Sequence, residues 1–305
     1  MLKGKLMGRL GNQLFIYAFS RELYHKYHHS ILLYNNVNHT KTNEWPSRLS
    51  NYPLNKNVKF TTNEKDVLNC SFDTKIAYLY YKLGIHGKDA RQIYNYELKN
   101  LHFLEKHKLY LITNGYAPLP DNMLDNTYFE GYFQSPKYFE EIRDELLKEL
   151  IPVHTYSEYE KHMLNEIKKS ESVCLTIRLG DYLKYPAFQV CTPEYYYTAM
   201  EKMKEMHPNC KFFVFSDDME AVKREFDFKY PVTYEQGKME DYVSLNIMSQ
   251  CDHFIIPNSS FSWWAQYLSQ NLNKTVIAPD KWFTIDIPCD IYQDNWLILK
   301  GNPNL

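Results

Sequence analysis

Glycine is scarce in this chain, 10 residues in 305, so a closely spaced pair marks a turn or close approach that bulkier residues resist. An excess of charge of one sign is also missing: 35 Lys and Arg against 37 Asp and Glu leave a net charge of −2. That balance excludes a broadly basic nucleic-acid-binding face, and any bound anion must be held by a local site. No window approaches the ~18 consecutive apolar residues of a membrane-spanning helix. The opening Met1-Leu-Lys-Gly-Lys-Leu-Met7 lacks the apolar core of a secretory signal. Six cysteines, Cys70, Cys174, Cys191, Cys210, Cys251 and Cys289, show no Cys-x-x-Cys or zinc-like Cys/His spacing. They read as reduced thiols of a cytoplasmic protein, whose membrane contacts would be peripheral.

What is present is an ordinary globular composition, 44% hydrophobic and 16% aromatic, with 27 Tyr. The tyrosines admit two readings, a carbohydrate-stacking surface or a chain rich in Lys, Asn, Tyr and Ile throughout; the second covers most of them. A length of 305 residues predicts two domains. Ile151-Pro152 ends a helical pattern and is the expected boundary, giving an acceptor-side domain over 1–152 and a donor domain over 153–305.

The start reads as strand, glycine turn and helix: residues 2–7, Gly8-Arg-Leu-Gly11, then a helix from Leu14 to Tyr27 with Asn12 as its N-cap. A strand at 31–34 completes a βαβ opening. Polar runs at 39–51 and 55–66 predict long loops, 72–83 a helix, 109–113 and 127–133 strands. Ser135 and Pro136 predict a helix start running to Leu150. After a linker helix at 157–169, strands at 172–177, 211–215, 232–234, 253–256 and 275–278 alternate with helices, the pattern of a doubly wound parallel sheet.

The chemistry concentrates just after these strands, where open α/β sheets bind ligands. Cys174-Leu-Thr-Ile-Arg-Leu-Gly-Asp-Tyr182 places Arg178 at a strand end, where its planar fork suits a diphosphate. Alone, Arg178 reads more readily as a strand cap paired with Asp181, and its company with the other loops favours the diphosphate. Asn258-Ser-Ser-Phe-Ser262 opens a helix, and a helix start offers N–H groups and positive potential to a phosphate. Asp217-Asp218 has three readings, ranked as guanine recognition, helix capping and metal binding. Met7-Gly-Arg-Leu-Gly-Asn-Gln13 adds a glycine loop with donors Arg9, Asn12 and Gln13.

The set Met7-Gly-Arg-Leu-Gly-Asn-Gln13, Phe129-Glu-Gly-Tyr-Phe-Gln134, Ile177-Arg-Leu-Gly-Asp-Tyr182, Phe215-Ser-Asp-Asp218 and Asn258-Ser-Ser-Phe-Ser-Trp-Trp264 resembles the α-1,2-fucosyltransferases of glycosyltransferase family 11. The resemblance implies an α/β, GT-B-like fold of two Rossmann-type domains facing across a cleft. It further implies GDP-β-L-fucose as donor, a glycan acceptor (a galactoside), inversion at the anomeric carbon, no cofactor and no obligatory metal. It gives Arg178, Asn12 and Asp181 catalytic positions. Arg9, Thr176, Asp217, Asp218, Asn258, Ser259, Ser260 and Phe261 fall on the donor side, Gln13 and Glu130 on the acceptor side. Glu130 and Asp181 are the candidates for accepting the acceptor's proton. Two positions depart from the family pattern: Thr176 stands where it has histidine, and Leu179 where it has a second arginine. They motivate an alternative, transfer from another nucleotide sugar; a second alternative is a non-catalytic nucleotide- or glycan-binding module. Bacterial relatives without a membrane anchor imply work at the inner face of the membrane on a lipid-linked acceptor.

Overall fold

The computed structural model describes residues 1–35, 47–180 and 182–302. The chain divides into two compact units, Met1–Ile151 with Asp286–Tyr292, and Pro152–Ile285 with Gln293–Leu305. A segment late in the chain therefore belongs to the first unit, where Asp290 binds Ser135 Oγ at 3.0 Å and Lys137 Nζ at 3.0 Å.

The first unit runs β1 (Leu2–Lys5), α1 (Leu10–Tyr27), β2 (Ile31–Tyr34), β3 (Val58–Thr61), α2 (Glu64–Leu68), α3 (Phe72–Ile85), α4 (Ala90–Lys106), β4 (Leu109–Leu111), β5 (Tyr128–Glu130) and α5 (Arg143–Glu149). Its parallel sheet has the order β3-β2-β1-β5-β4. Central β1 carries Gly4 because a Cβ there would lie 2.3 Å from the Phe129 ring on neighbouring β5. Helix α1 is buried from Leu10 through Leu23 apart from Asn12. Its Phe19 stacks on Phe133, centroids 3.7 Å apart. Arg21, charged yet enclosed, is neutralised by Glu149 at 2.8 Å, as a buried cation requires.

The second unit runs α6 (Glu158–Lys168), β6 (Ser172–Ile177), α7 (Pro193–Met206), β7 (Lys211–Ser216), α8 (Met219–Glu225), β8 (Val232–Tyr234), α9 (Asp241–Met248), β9 (His253–Ile255), α10 (Ser260–Leu268), β10 (Val276–Pro279) and β11 (Leu297–Leu299). The six strands pair in parallel in the order β11-β10-β9-β6-β7-β8. Read in chain order this is 3-2-1-4-5-6, the Rossmann arrangement. All six residues of β6 are buried, as befits a central strand covered on both faces. Val173, Leu175 and Ile177 pack with Tyr195, Met200, Met203 and Val214.

Several local expectations are corrected. Asn12 is not the N-cap of the first helix; α1 starts at Leu10 and extended Arg9 precedes it. The expected loop at 55–66 contains β3 and the start of α2. The loop expected at 39–51 lies largely outside the described residues, as do the last three residues. Helix α4 was not anticipated, although Asp89 and Gln92 form a capping box at its start. Ser135 makes no cap. The chain forms 3-10 turns at Pro136–Tyr138 and Glu140–Ile142 before α5, interrupted at Phe139 (φ −144°). Phe139 is fully buried there, its ring 6.0 Å from that of Phe15; core packing overrides the helical pattern.

Candidate active site

Parallel pairing puts the carboxyl ends of all second-unit strands on one edge, and the direction of winding switches between β6 and β9. Arg178 follows β6 at this switch point. Its guanidinium Nη1 lies 3.3 Å from Asp217 Oδ2, and both side chains are only 16% exposed. The other oxygen, Asp217 Oδ1, accepts the Leu179 N–H at 3.0 Å. Leu179 itself is buried and joins the core beside β6. Gly180 makes room for the carboxylate: a Cβ there would stand 2.6 Å from Asp217 Oδ2. On its other side Arg178 lies over the Tyr182 ring, 5.0 Å from the centroid, a favourable cation–π distance. The Tyr182 hydroxyl donates to the Asn258 carbonyl at 2.9 Å, coupling the loop after β6 to the loop after β9.

Helix α10 begins on that second loop. Ser259 is buried, while Ser260 and Phe261 are half-buried at the first turn. Trp263 and Trp264 are fully enclosed, and Trp263 stacks on Tyr267 at 4.8 Å. The aromatic half of the motif thus anchors the helix and the serine half forms its start. A helix start of this kind presents N–H groups with no partner inside the helix, at the positive end of the macrodipole.

Four sequence candidates have partners inside the fold. Asp217 holds the Arg178 loop. Asp218 caps α8, accepting the Ala221 N–H at 2.9 Å, the reading ranked second. Thr176 is buried in β6 and donates to the Ile255 carbonyl at 3.3 Å. Asn258 spends its amide on structure, donating to the carbonyls of Phe188 at 3.1 Å and Trp282 at 2.9 Å. Asp181 lies outside the described residues.

In the first unit the loops after β1 and β5 meet at the corresponding switch point. Gly8 has φ +70°, and a Cβ there would stand 2.4 Å from Asn12 Nδ2. Asn12 Oδ1 accepts from Gln134 Nε2 at 2.8 Å. Gln13 is buried, donating to the Gly8 carbonyl at 2.9 Å and accepting the Arg48 N–H at 3.2 Å. It shapes the loop and does not present its amide outward. Arg9 precedes the helix in extended conformation. Glu130 accepts from the hydroxyls of Tyr128 at 2.7 Å and Tyr78 at 3.2 Å, with Lys82 3.8 Å away. Burial, and then its carboxylate, push the Tyr78 and Tyr128 hydroxyls well above the usual tyrosine range.

Among the described residues one cluster has metal-ligand spacing, Glu171, His207 and His253. It lies at the amino ends of β6 and β9, the sheet edge opposite Arg178. His253 Nδ1 accepts the Thr275 N–H at 3.0 Å, which leaves the proton of the neutral ring on Nε2, facing Glu171. His207 Nδ1 meets the same carboxylate at 2.8 Å. These contacts describe a hydrogen-bonded clasp, since a ring accepting at Nδ1 cannot also offer a neutral Nε2 lone pair.

Sequence reasoning did not identify the roles of Gln134, Phe188 and Trp282. Gln134 stood in a quoted motif and was legible as a polar residue after a strand. Phe188 and Trp282 act through main-chain carbonyls, which carry no residue-type signal.

Two parallel-sheet units with polar loops gathered at their switch points define a GT-B-like α/β protein of the glycosyltransferase type. The chain belongs to glycosyl transferase family 11, whose profile matches residues 1–300. It is 33% identical over 170 residues to an α-1,2-colitosyltransferase of Escherichia coli, covering 53% of this chain and 58% of that protein. It is 27% identical to the O-antigen biosynthesis glycosyltransferase WbnK of Escherichia coli, across 96% of this chain and 99% of that one. A putative galactoside 2-α-L-fucosyltransferase of Caenorhabditis elegans is 28% identical, across 55% of this chain and 51% of its own length. Among solved structures, NodZ α-1,6-fucosyltransferase soaked with GDP-fucose superposes with a TM-score of 0.52 at 12% identity, covering 94% of this chain and 99% of that one. Fucosyltransferase NodZ from Bradyrhizobium gives 0.50 at 10% identity, covering 87% and 92%. No helix among the described residues is long and apolar enough to cross a membrane.

Proposed function

We propose that this protein transfers L-fucose from GDP-β-L-fucose, with inversion, to the 2-hydroxyl of a galactoside in a glycan acceptor. The observation that carries the reading is Arg178, held by Asp217 and Tyr182 at the sheet's switch point beside the loop that starts α10. A fixed guanidinium and a helix start are the groups a departing nucleoside diphosphate needs. As the bond from fucose C1 to the β-phosphate oxygen breaks, negative charge gathers on GDP. Preorganised donors then stabilise it by ~3 kcal/mol each without reorganising. The acceptor oxygen forms its bond to C1 on the opposite face and loses its proton to a base. Asp181 is the proposed base, because Glu130 is committed to Tyr128 and Tyr78. Neutralisation by protein groups rather than by a metal is supported by the engagement of Asp217 with the Arg178 loop and of Asp218 with α8; full turnover in EDTA is expected.

A second reading rests on the 33% identity to the colitosyltransferase. Colitose is fucose without its 3-hydroxyl, so the same diphosphate site serves either donor and a single sugar contact discriminates them. Turnover of the two GDP-sugars with a panel of β-galactosides, followed by mass spectrometry, separates the readings: faster transfer of the 3-deoxy sugar assigns colitose. GDP binding without transfer to any acceptor would reduce the protein to a binding module.

A further inference from the structure

Helix α3 carries its apolar stripe outward. Thr74, Ala77 and Tyr81 face the core, while Phe72 (76% exposed), Ile76 (51%), Leu79 (60%) and Leu83 (69%) face solvent. Spaced four, three and four residues apart, these side chains line one face of the helix. Tyr80 broadens the stripe and meets Phe103 of α4, ring centroids 5.4 Å apart, so the patch continues onto the neighbouring helix. A soluble amphipathic helix buries such a face, and a contiguous exposed one is an interaction surface.

Lysines border the patch on both sides. Lys75 and Lys82, seven residues apart, flank the stripe on the side away from Phe103. Lys99 and Lys106, four before and three after Phe103, border it on α4. All four lysines are exposed, and Lys82 also lies 3.8 Å from Glu130. Asp73 is the acid in the first turn of α3.

We propose that this face rests on an anionic phospholipid bilayer, with α3 in the plane of the interface. The stripe enters the headgroup–acyl boundary and the lysines meet the phosphates, the division of labour of interfacial helices. Self-pairing fits the patch less well. An antiparallel two-fold pair would bring Lys75 near Lys82 of the other copy, and Glu130, 3.8 Å from Lys82, is already engaged by Tyr128 and Tyr78. Tyr80 and Phe103 also make the patch wider than a two-helix seam. The inference is independent of which sugar is transferred.

Flotation with phosphatidylcholine vesicles containing about one-third phosphatidylglycerol tests it. The full chain should float with these vesicles, and less in pure phosphatidylcholine or high salt. Leu79→Glu with Leu83→Glu, at exposed positions, should keep the circular dichroism spectrum and cut the bound fraction about tenfold. Leu83→Ser serves as a milder comparison should the double variant misfold. Lys75→Glu with Lys99→Glu should abolish the preference for anionic vesicles. Absence of flotation by the natural protein, or equal flotation by the leucine variants, overturns the proposal. A dimer in sedimentation velocity that the leucine variants disrupt, without vesicle binding, assigns the face to a second copy of the chain.

Discussion

Asp217 grips the Arg178 loop at two points, one carboxylate oxygen 3.3 Å from the Arg178 guanidinium and the other accepting the Leu179 N–H at 3.0 Å. It is a positioning residue: it aims the guanidinium, and in the proposed function contact with the donor falls to Arg178. Arg178→Ala should lower kcat/KM at least ~100-fold, about the loss of one preorganised donor. Asp217→Asn keeps an acceptor for Leu179 and should cost less than Asp217→Ala, which loses both contacts. Steady-state kinetics on folded variants check this order; equal activity of Asp217→Ala and the natural enzyme would remove Asp217 from the site.

Gly180 and Gly8 should be intolerant for related reasons. A methyl at Gly180 meets Asp217 Oδ2 at 2.6 Å, and one at Gly8 meets Asn12 Nδ2 at 2.4 Å on a backbone with φ +70°. Gly180→Ala should depress turnover through Arg178 while leaving the melting temperature within a few degrees. Gly8→Ala should lower both, since a left-handed φ also strains an alanine backbone. Paired melting curves and initial rates distinguish the two.

Asn258 should behave as a structural residue. Its buried amide donates to the carbonyls of Phe188 and Trp282, and truncation removes that donor from both, although the Phe188 carbonyl keeps the Val190 N–H at 2.8 Å. Asn258→Ala is expected to cost about 2 kcal/mol, or roughly 4–8 °C in a unit of this size. An unchanged melting temperature with lost GDP binding would return Asn258 to the donor site.

The His207–His253 clasp predicts acid sensitivity. Burial, with a smaller push from His207, holds the His253 imidazole below the ordinary histidine value of 6.5. Its folded-state pKa is depressed, so the unfolded chain takes up the proton first as pH falls. The stability it contributes is present above the unfolded value and is lost as pH drops toward the folded one. Urea melts between about pH 7.5 and pH 5.5 should show the second unit weakening. His253→Gln should flatten that slope; an unchanged slope would assign the sensitivity elsewhere.

Much of the architecture was legible because local periodicity encodes it. The alternation of apolar runs and helical stripes from residue 172 onward predicted five of the six strands in that half, and β11 escaped because Leu297–Leu299 is short and largely exposed. Helix α4 was missed although Asp89 and Gln92 announced its start. The helix expected after Ser135 broke at Phe139, where burying one ring outweighed helical propensity.

By itself the sequence determined where polar loops follow the strands, since strand ends, glycine turns and serine-rich helix starts are written in adjacent residues. Only the tertiary structure decided what each polar group does there. Leu179 and Asp217 lie 38 residues apart, and nothing local says that this carboxylate turns toward Arg178 while its neighbour Asp218 turns to cap α8. Thr176 and Asn258 looked outward in sequence and are spent inside the fold. The helix expected at 72–83 forms, and its apolar stripe faces solvent. In each case the deciding term is burial, which depends on what the rest of the chain brings alongside.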